Sequence, residues 1–381
     1  MFLFLKRFKK YIYFDNSSTN QKPKILYKST INTIQKKNFN LNRGEYNFSN
    51  KNDILFKKLK FLFKKLIKIN FIEEIFFFYN STFSINFIII NLINFLKNTN
   101  EILISKTEHN SVLIPLLKLT KNKKIVIIIC PIIKLLIFKN IFCNYINNNT
   151  IIFAISHISN NYGIIVKIKN LLNICRYNNI LSIVDSTQSI SYINTNLKKI
   201  NSDFLFFSFH KLYSLTGVSV LYCNINFINK LNPYFLGGGS SILKKYTLKL
   251  KKLDEKFYFG TQNIFSLFSS YYSIKWFIKN KKYIFCINYF LKKNLFYFLK
   301  KRNKNCVNTI LICSKNGFFF NYYLNLNKII LRCDKLCNYM KNMFINKKNN
   351  CRLSLNFFNK IKETFKIKFL IHFFNFKIRN Y

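Results

Sequence analysis

Between Glu101 and Cys223 the chain alternates short apolar runs with longer amphipathic ones, and few folds accept that order. Glu101 to Ser105, Thr150 to Ile155, Ile180 to Asp185, Phe204 to Ser208 and Val218 to Cys223 each read as a buried strand. Between two of them, Lys167 to Asn179 carries apolar residues at helical spacing. Strands alternating with helices predict an α/β fold: a mostly parallel central sheet with helices on both faces. In such a sheet the polar residues at strand C-terminal ends border the ligand crevice. From about Ser266 the pattern turns helical and then mixed, which predicts a smaller α+β C-terminal domain. The Lys/Asn-rich stretches 121–124, 300–305 and 346–350 read as surface loops, and no internal repeat is visible.

Charge bears on function before any motif does. Lys and Arg number 62 against 13 Asp and Glu, a formal +49, which by itself points to nucleic acid or an anionic membrane. The abundant Phe, Ile, Tyr, Asn and Lys share AT-rich codons, however. Base-composition drift would load lysine onto any solvated surface, so the charge does not predict specific nucleic-acid binding. No Arg-rich stripe or RNA-binding aromatic signature accompanies it. Half the residues are apolar and 18% are aromatic, which excludes wholesale disorder. The apolar stretch from Ile125 to Phe138 is short and broken by Lys134, so no membrane span is expected. Ten cysteines without a C-x-x-C, beside four histidines, predict neither a metal site nor a disulfide framework, but a reducing compartment. Met1 to Lys10 leave little room for a cleaved leader. The expected location is the bacterial cytoplasm, in an AT-rich endosymbiont, with an organelle-encoded gene as the runner-up.

Scarce residue types are the more telling ones, because drift does not supply them. Seven of the eight glycines fall in short polar clusters, among them Gly217, Gly237 to Gly239 and Gly260. His109, His157 and His210 each follow an apolar strand. Ile183-Val184-Asp185-Ser186-Thr187-Gln188 ends one strand on a carboxylate. Phe207-Ser208-Phe209-His210-Lys211 ends the next on a hydroxyl, an imidazole and an amine. A pyridine-type cofactor requires this set: an acid for the ring nitrogen, a lysine for the aldehyde and hydroxyls for a phosphate.

In these motifs the chain resembles the fold-type I pyridoxal-phosphate enzymes of the class V aminotransferase group, and within them the SufS-type cysteine desulfurases. The resemblance runs in collinear order from Tyr13-Phe14-Asp15 and Gln21-Lys22-Pro23 through Asn42-Arg43-Gly44, Glu108-His109-Asn110 and Ser156 to Asn160. It continues through Val184 to Gln188, Ser208 to Gly217, Gly237 to Ser240 and Gly260 to Asn263, ending on Arg332 to Cys337 and Cys351 to Ser354. It implies an N-terminal segment, 1–22, packed with the small domain, a large cofactor-binding domain, 23–263, and a small domain, 264–381, carrying a nucleophilic cysteine loop.

By the same resemblance the cofactor is pyridoxal 5′-phosphate. Lys211 bonds its aldehyde, Asp185 pairs with the pyridinium nitrogen, Gln188 and Asn160 hydrogen-bond the ring oxygen, and His109 stacks on the ring. Thr82, Ser208 and His210 hold the phosphate, joined by Thr261 from across a homodimer interface. Arg352, with Arg332 and Asn160, takes the carboxylate of L-cysteine, and Cys337 accepts its sulfur as a persulfide. His157 is expected to be structural. The sulfur would pass to a SufE- or SufU-like acceptor and an iron–sulfur scaffold.

The chain also departs from the family pattern, with Asn80 in place of a glycine, Phe83 in place of an acidic residue, and Asp334-Lys335-Leu336 before the nucleophile. The competing expectations are a selenocysteine lyase or another class V activity, a degenerate cofactor-binding paralogue, and a basic nucleic-acid-binding protein.

Overall fold

The computed structural model describes the chain apart from residues 1, 3–6, 42–43, 45, 94–95, 98, 121–124, 132–138, 245–246, 299–304, 314–316, 334–349, 374–376 and 380–381. Its strands in chain order are β1 (Ile12–Tyr13), β2 (Ile75–Phe78), β3 (Glu101–Ser105), β4 (Val126–Cys130), β5 (Thr150–Ser156), β6 (Leu181–Asp185), β7 (Phe204–Ser208) and β8 (Ser219–Cys223). After these come β9 (Ser241–Lys244), β10 (Thr247–Leu250), β11 (Thr309–Cys313), β12 (Ile329–Ile330), β13 (Arg332–Cys333), β14 (Asn350–Ser354) and β15 (Lys377–Arg379).

Seven strands form the main sheet in the order β2-β8-β7-β6-β5-β3-β4. Every pair from β7 to β4 is parallel, while β8 runs antiparallel to both β7 and β2. β2, β7 and β8 are buried at every residue, as strands covered on both faces must be. Successive side chains point to opposite faces and split into two cores. Phe77, Phe153, Val184, Leu205 and Phe207 pack with helices Asn47–Ile67, Ile168–Tyr177 and Ile264–Phe298. Phe76, Phe78, Ile183, Phe204 and Phe206 pack with helices Ser81–Ile93 and Asn110–Thr120. Across the first of these layers Lys60 meets Asp254, a buried ion pair whose lysine also faces the rings of Phe56 and Tyr258.

A second, antiparallel sheet has the order β13-β14-β11-β15. The N-terminal residues join the two sheets. β1 pairs in parallel with β12, Asn16 Nδ2 donates to the Ser354 carbonyl at 2.8 Å, and Gln188 Nε2 donates to the Ser17 carbonyl at 2.7 Å. The sheets approach closely at Gly163. Its φ is +66°, and a Cβ there would sit 2.9 Å from Thr309, so glycine meets a conformational and a steric demand at once.

Two expectations are corrected here. Asn350, placed in a surface loop by its composition, is a buried strand residue opposite Cys313, because β14 begins on the last residue of the Lys/Asn run. The cysteines were expected to be reduced, yet Cys333 and Cys351 are joined by a disulfide. Antiparallel pairing sets them directly opposite, with their Cα atoms 4.0 Å apart. The expected tail of the apolar run past Cys130, and the loops at 121–124, 300–304 and 346–349, lie outside the described residues. No helix among the described residues is long and apolar enough to cross a membrane.

Candidate active site

β3, β5, β6 and β7 run parallel and end side by side on Ser105, Ser156, Asp185 and Ser208. A cavity of about 230 Å³ opens at these ends. Sequence expectation placed Asp185, Gln188, Lys211, His109, Asn160, Ser208, His210 and Thr82 at one site, and all eight line this cavity.

Asp185 is buried at the end of β6, where its Oδ1 accepts the Thr187 backbone N–H at 2.8 Å. Burial raises its proton affinity, while the Thr187 hydrogen bonds and the charge of Lys211 pull the other way. No cation lies within ion-pairing distance of it among the described residues.

Lys211 sits on the short turn Phe209–Leu212 that follows β7, and its carbonyl accepts from Asn20 Nδ2. Burial pushes its amine down to about 8, helped by the nearby Arg352 charge and opposed by Asp185. Two residues on, Tyr213 takes a left-handed φ of 66°, a costly conformation for an aromatic residue. The Ser214 N–H bonded to the Phe209 carbonyl at 3.1 Å, and the Tyr213 hydroxyl donating to Asn356 Oδ1 at 3.1 Å, hold that turn.

The opposite wall is neutral. The Ser111 backbone N–H donates to His109 Nδ1 at 3.1 Å, and burial lowers that imidazole to about 4. Behind it Glu108, fully buried and pushed up to about 7, ties β3 to β5. It accepts from Ser105 Oγ at 2.6 Å and from the N–H and hydroxyl of Ser156 at 2.8 and 2.7 Å.

At one end of the cavity Ser81 opens the thirteen-residue helix Ser81–Ile93. Its N–H lies 3.0 Å and its hydroxyl 2.7 Å from Ser208 Oγ. Helix N-termini favour anions; with Ser208 and His210 alongside, this end can hold a phosphate. Thr82 stands exposed at the rim.

Two guanidinium groups close the other end. Arg352 is wholly buried; its two terminal nitrogens donate to Asn160 Oδ1 and Asp15 Oδ1, each at 2.8 Å. Arg332 lines the cavity, donates to Ser18 Oγ at 2.6 Å and has its Nε 3.5 Å from Asp15 Oδ2. One carboxylate thus faces two cations, leaving the pair with net positive charge. Asn160 Oδ1 also accepts from Gln188 Nε2 at 2.5 Å, linking this end to the ring-binding side.

Other expected residues fall elsewhere. Thr261 is exposed and outside the cavity of its own chain. His157 is buried away from the lining, its backbone N–H bonded to the Asp185 carbonyl, consistent with a structural part. Cys337 and Asp334-Lys335-Leu336 lie outside the described residues. Sequence reasoning missed the roles of Asp15, Ser81 and Glu108; two of these stood inside quoted motifs, but no spacing paired them with their partners.

These groups fit the implied cofactor. A buried carboxylate without a cation suits a protonated ring nitrogen, and a lysine of lowered proton affinity suits an aldehyde. The Ser81, Ser208 and His210 end suits a phosphate.

Comparisons with known proteins agree. A sequence model described as aminotransferase class-V matches residues 12–364. The chain is 29% identical over 376 residues to a "Probable cysteine desulfurase" of Borreliella burgdorferi, covering 92% of this chain and 89% of that one. It is 31% identical over 326 residues to the cysteine desulfurase SufS of Plasmodium falciparum, covering 80% of this chain and 59% of the other. Among solved structures it is similar to an apo cysteine desulfurase from Thermococcus onnurineus, with a TM-score of 0.90 at 22% identity, covering 96% of this chain and 95% of that chain.

Proposed function

Because the chain belongs to the aminotransferase class-V family, we propose that it is a pyridoxal-phosphate-dependent cysteine desulfurase converting L-cysteine to L-alanine. The observation that carries this reading is a single cavity lined by Lys211, Asp185 and Arg332, with the buried Arg352 sharing the Asp15 carboxylate with Arg332. The fold is that of the fold-type I pyridoxal-phosphate enzymes.

When bound, pyridoxal phosphate supplies an aldehyde that takes up amines and a pyridinium that accepts an electron pair. Asp185 keeps the proton on the ring nitrogen, because its buried charge is offset only by a cation at that place. His109, held neutral, would pack against the ring, and Gln188 and Asn160 would hold the ring oxygen. Ser81, Ser208 and His210 bind the phosphate.

The cysteine carboxylate is drawn to the net positive charge left on Arg332 and Arg352. Lys211 Nζ, with its lowered proton affinity, carries a free amine at mildly alkaline pH and takes the proton from the substrate α-carbon. Cys337 Sγ, as thiolate, attacks the substrate sulfur: its S–S bond forms as the substrate S–Cβ bond breaks. Cysteine and one enzyme thiol become alanine and one enzyme persulfide, with no external oxidant. The persulfide sulfur then goes to a SufE- or SufU-like acceptor for iron–sulfur cluster assembly, in the bacterial cytoplasm that the drifted composition favours.

Cys337→Ala is expected to lower alanine and persulfide formation more than about a thousandfold, with the visible absorbance of the bound cofactor unchanged. Alanine formation at the wild-type rate would remove Cys337 from the reaction. The working form is a homodimer in which Thr261 reaches the partner's phosphate end. In support, the Phe235 and Phe259 rings lie tilted against each other at 5.2 Å, and Phe235, Leu236, Leu243 and Leu248 lie exposed in the segment that bonds Gly260 to Gly238. Sedimentation at micromolar concentration should give twice the chain mass; a monomer of full activity would contradict it.

A further inference from the structure

His210 does not meet the cavity alone. Its Nδ1 lies 3.2 Å from Thr19 Oγ1, and the same Thr19 oxygen accepts from Lys22 Nζ at 2.8 Å. Lys22 donates in addition to the Asn20 carbonyl at 2.6 Å. The three side chains therefore form a short line from an ammonium, through a hydroxyl, to an imidazole on the cavity wall. Lys22 belongs to the quoted Gln21-Lys22-Pro23 motif, but neither it nor Thr19 has a role in the proposed reaction.

Counting protons along this line leaves one arrangement. A lysine ammonium has donors and no acceptor, whereas a threonine hydroxyl has one proton and two lone pairs. Lys22 fills one lone pair of Thr19 Oγ1, which leaves the hydroxyl proton to be placed. Among the described contacts of that oxygen the one group able to receive it is His210 Nδ1. Were Nδ1 protonated instead, both neighbours would donate to Thr19, and its own proton would have no acceptor in a half-buried place, at a cost comparable to a lost hydrogen bond.

From this geometry we infer that Thr19 and Lys22 are positioning residues fixing His210 as the neutral tautomer with its proton on Nε2. That nitrogen is then a standing donor for whatever anion occupies the Ser81 and Ser208 end of the cavity. Burial, with the charges of Lys211 and Lys22 added, pushes the imidazole down to about 3, so no second proton competes at neutral pH. His210 thus contributes a directed N–H rather than a charge. The identity of the anion as the cofactor's phosphate rests on the function proposed above; the tautomer does not.

The chain has four histidines, so nitrogen-15 labelling of histidine in the full-length protein gives a spectrum simple enough to assign, with His210→Gln marking the signal. At pH 7 the cofactor-free wild type should show His210 with a bare Nδ1 and a protonated Nε2. Thr19→Val should scramble the two tautomers and weaken pyridoxal phosphate binding about tenfold, while binding of pyridoxal, which lacks the phosphate, stays within twofold. Thr19→Ser, which keeps the hydroxyl, should restore both. A wild-type His210 protonated on Nδ1, or a Thr19→Val protein with unchanged tautomer and unchanged binding ratio, overturns the inference. Failure of the wild type to bind either compound would count against the cofactor reading, and the tautomer would still be read from the cofactor-free spectrum.

Discussion

Lys211→Ala should reduce alanine formation from cysteine by about 10³–10⁴-fold, the upper range for losing a positioned general base together with the amine that anchors the cofactor. The cause lies in its setting. The amine is on a turn braced by the left-handed Tyr213, and burial beside Arg352 lowers its proton affinity to about 8. No other described lysine lines the cavity. Mass spectrometry after borohydride gives a readout independent of turnover: the wild-type chain should gain the mass of the cofactor at Lys211, and the variant should gain none. Retention of the label on the variant, at another lysine, would refute the assignment. So would activity within tenfold of wild type.

Asp185→Asn is the second large effect expected, a loss in kcat of about 10²–10³-fold with little change in KM. Asparagine keeps the shape and can still accept from the Thr187 N–H. What it removes is the negative charge that keeps a proton on the ring nitrogen, and with it the capacity to draw electrons from the substrate α-carbon. Cofactor-free Asp185→Asn should melt no lower than wild type, because burial already penalises the ionised carboxylate. A fall in stability with kcat intact would make Asp185 a structural residue. Asp185→Glu, which keeps the charge but moves it, should recover part of the rate.

The strand ends were legible because a parallel sheet imposes a simple pattern. Runs of four residues, apolar but for Ser182, leading into Asp185-Ser186-Thr187-Gln188 or Ser208-Phe209-His210-Lys211 show both where the chain is buried and where it emerges. Direction was less legible. The reversed β8 is as uniformly buried as its parallel neighbour β7, and a strand covered on both faces carries no alternation to betray its sense. β2, Ile75-Phe76-Phe77-Phe78, was not read at all; it is four residues long and stands apart from the alternating stretch that begins at Glu101. Within the site, residues that touch the cavity announced themselves through scarce types. Their supports did not. Glu108 is one residue from His109, yet its work is to join two strands, and the opposition of Cys333 to Cys351 depends on a register that spacing alone does not reveal.

Asp15 and Arg352, which meet at 2.8 Å, are separated by 337 positions along the polypeptide. A ribosome therefore finishes the Asp185 and Lys211 wall well before the carboxylate near the start of the chain can find its arginine. Until Arg352 emerges, no guanidinium bridges Asp15 to Asn160, and that end of the cavity is incomplete. That end of the cavity is thereby completed only once β14 has been made, later than the Asp185 and Lys211 wall.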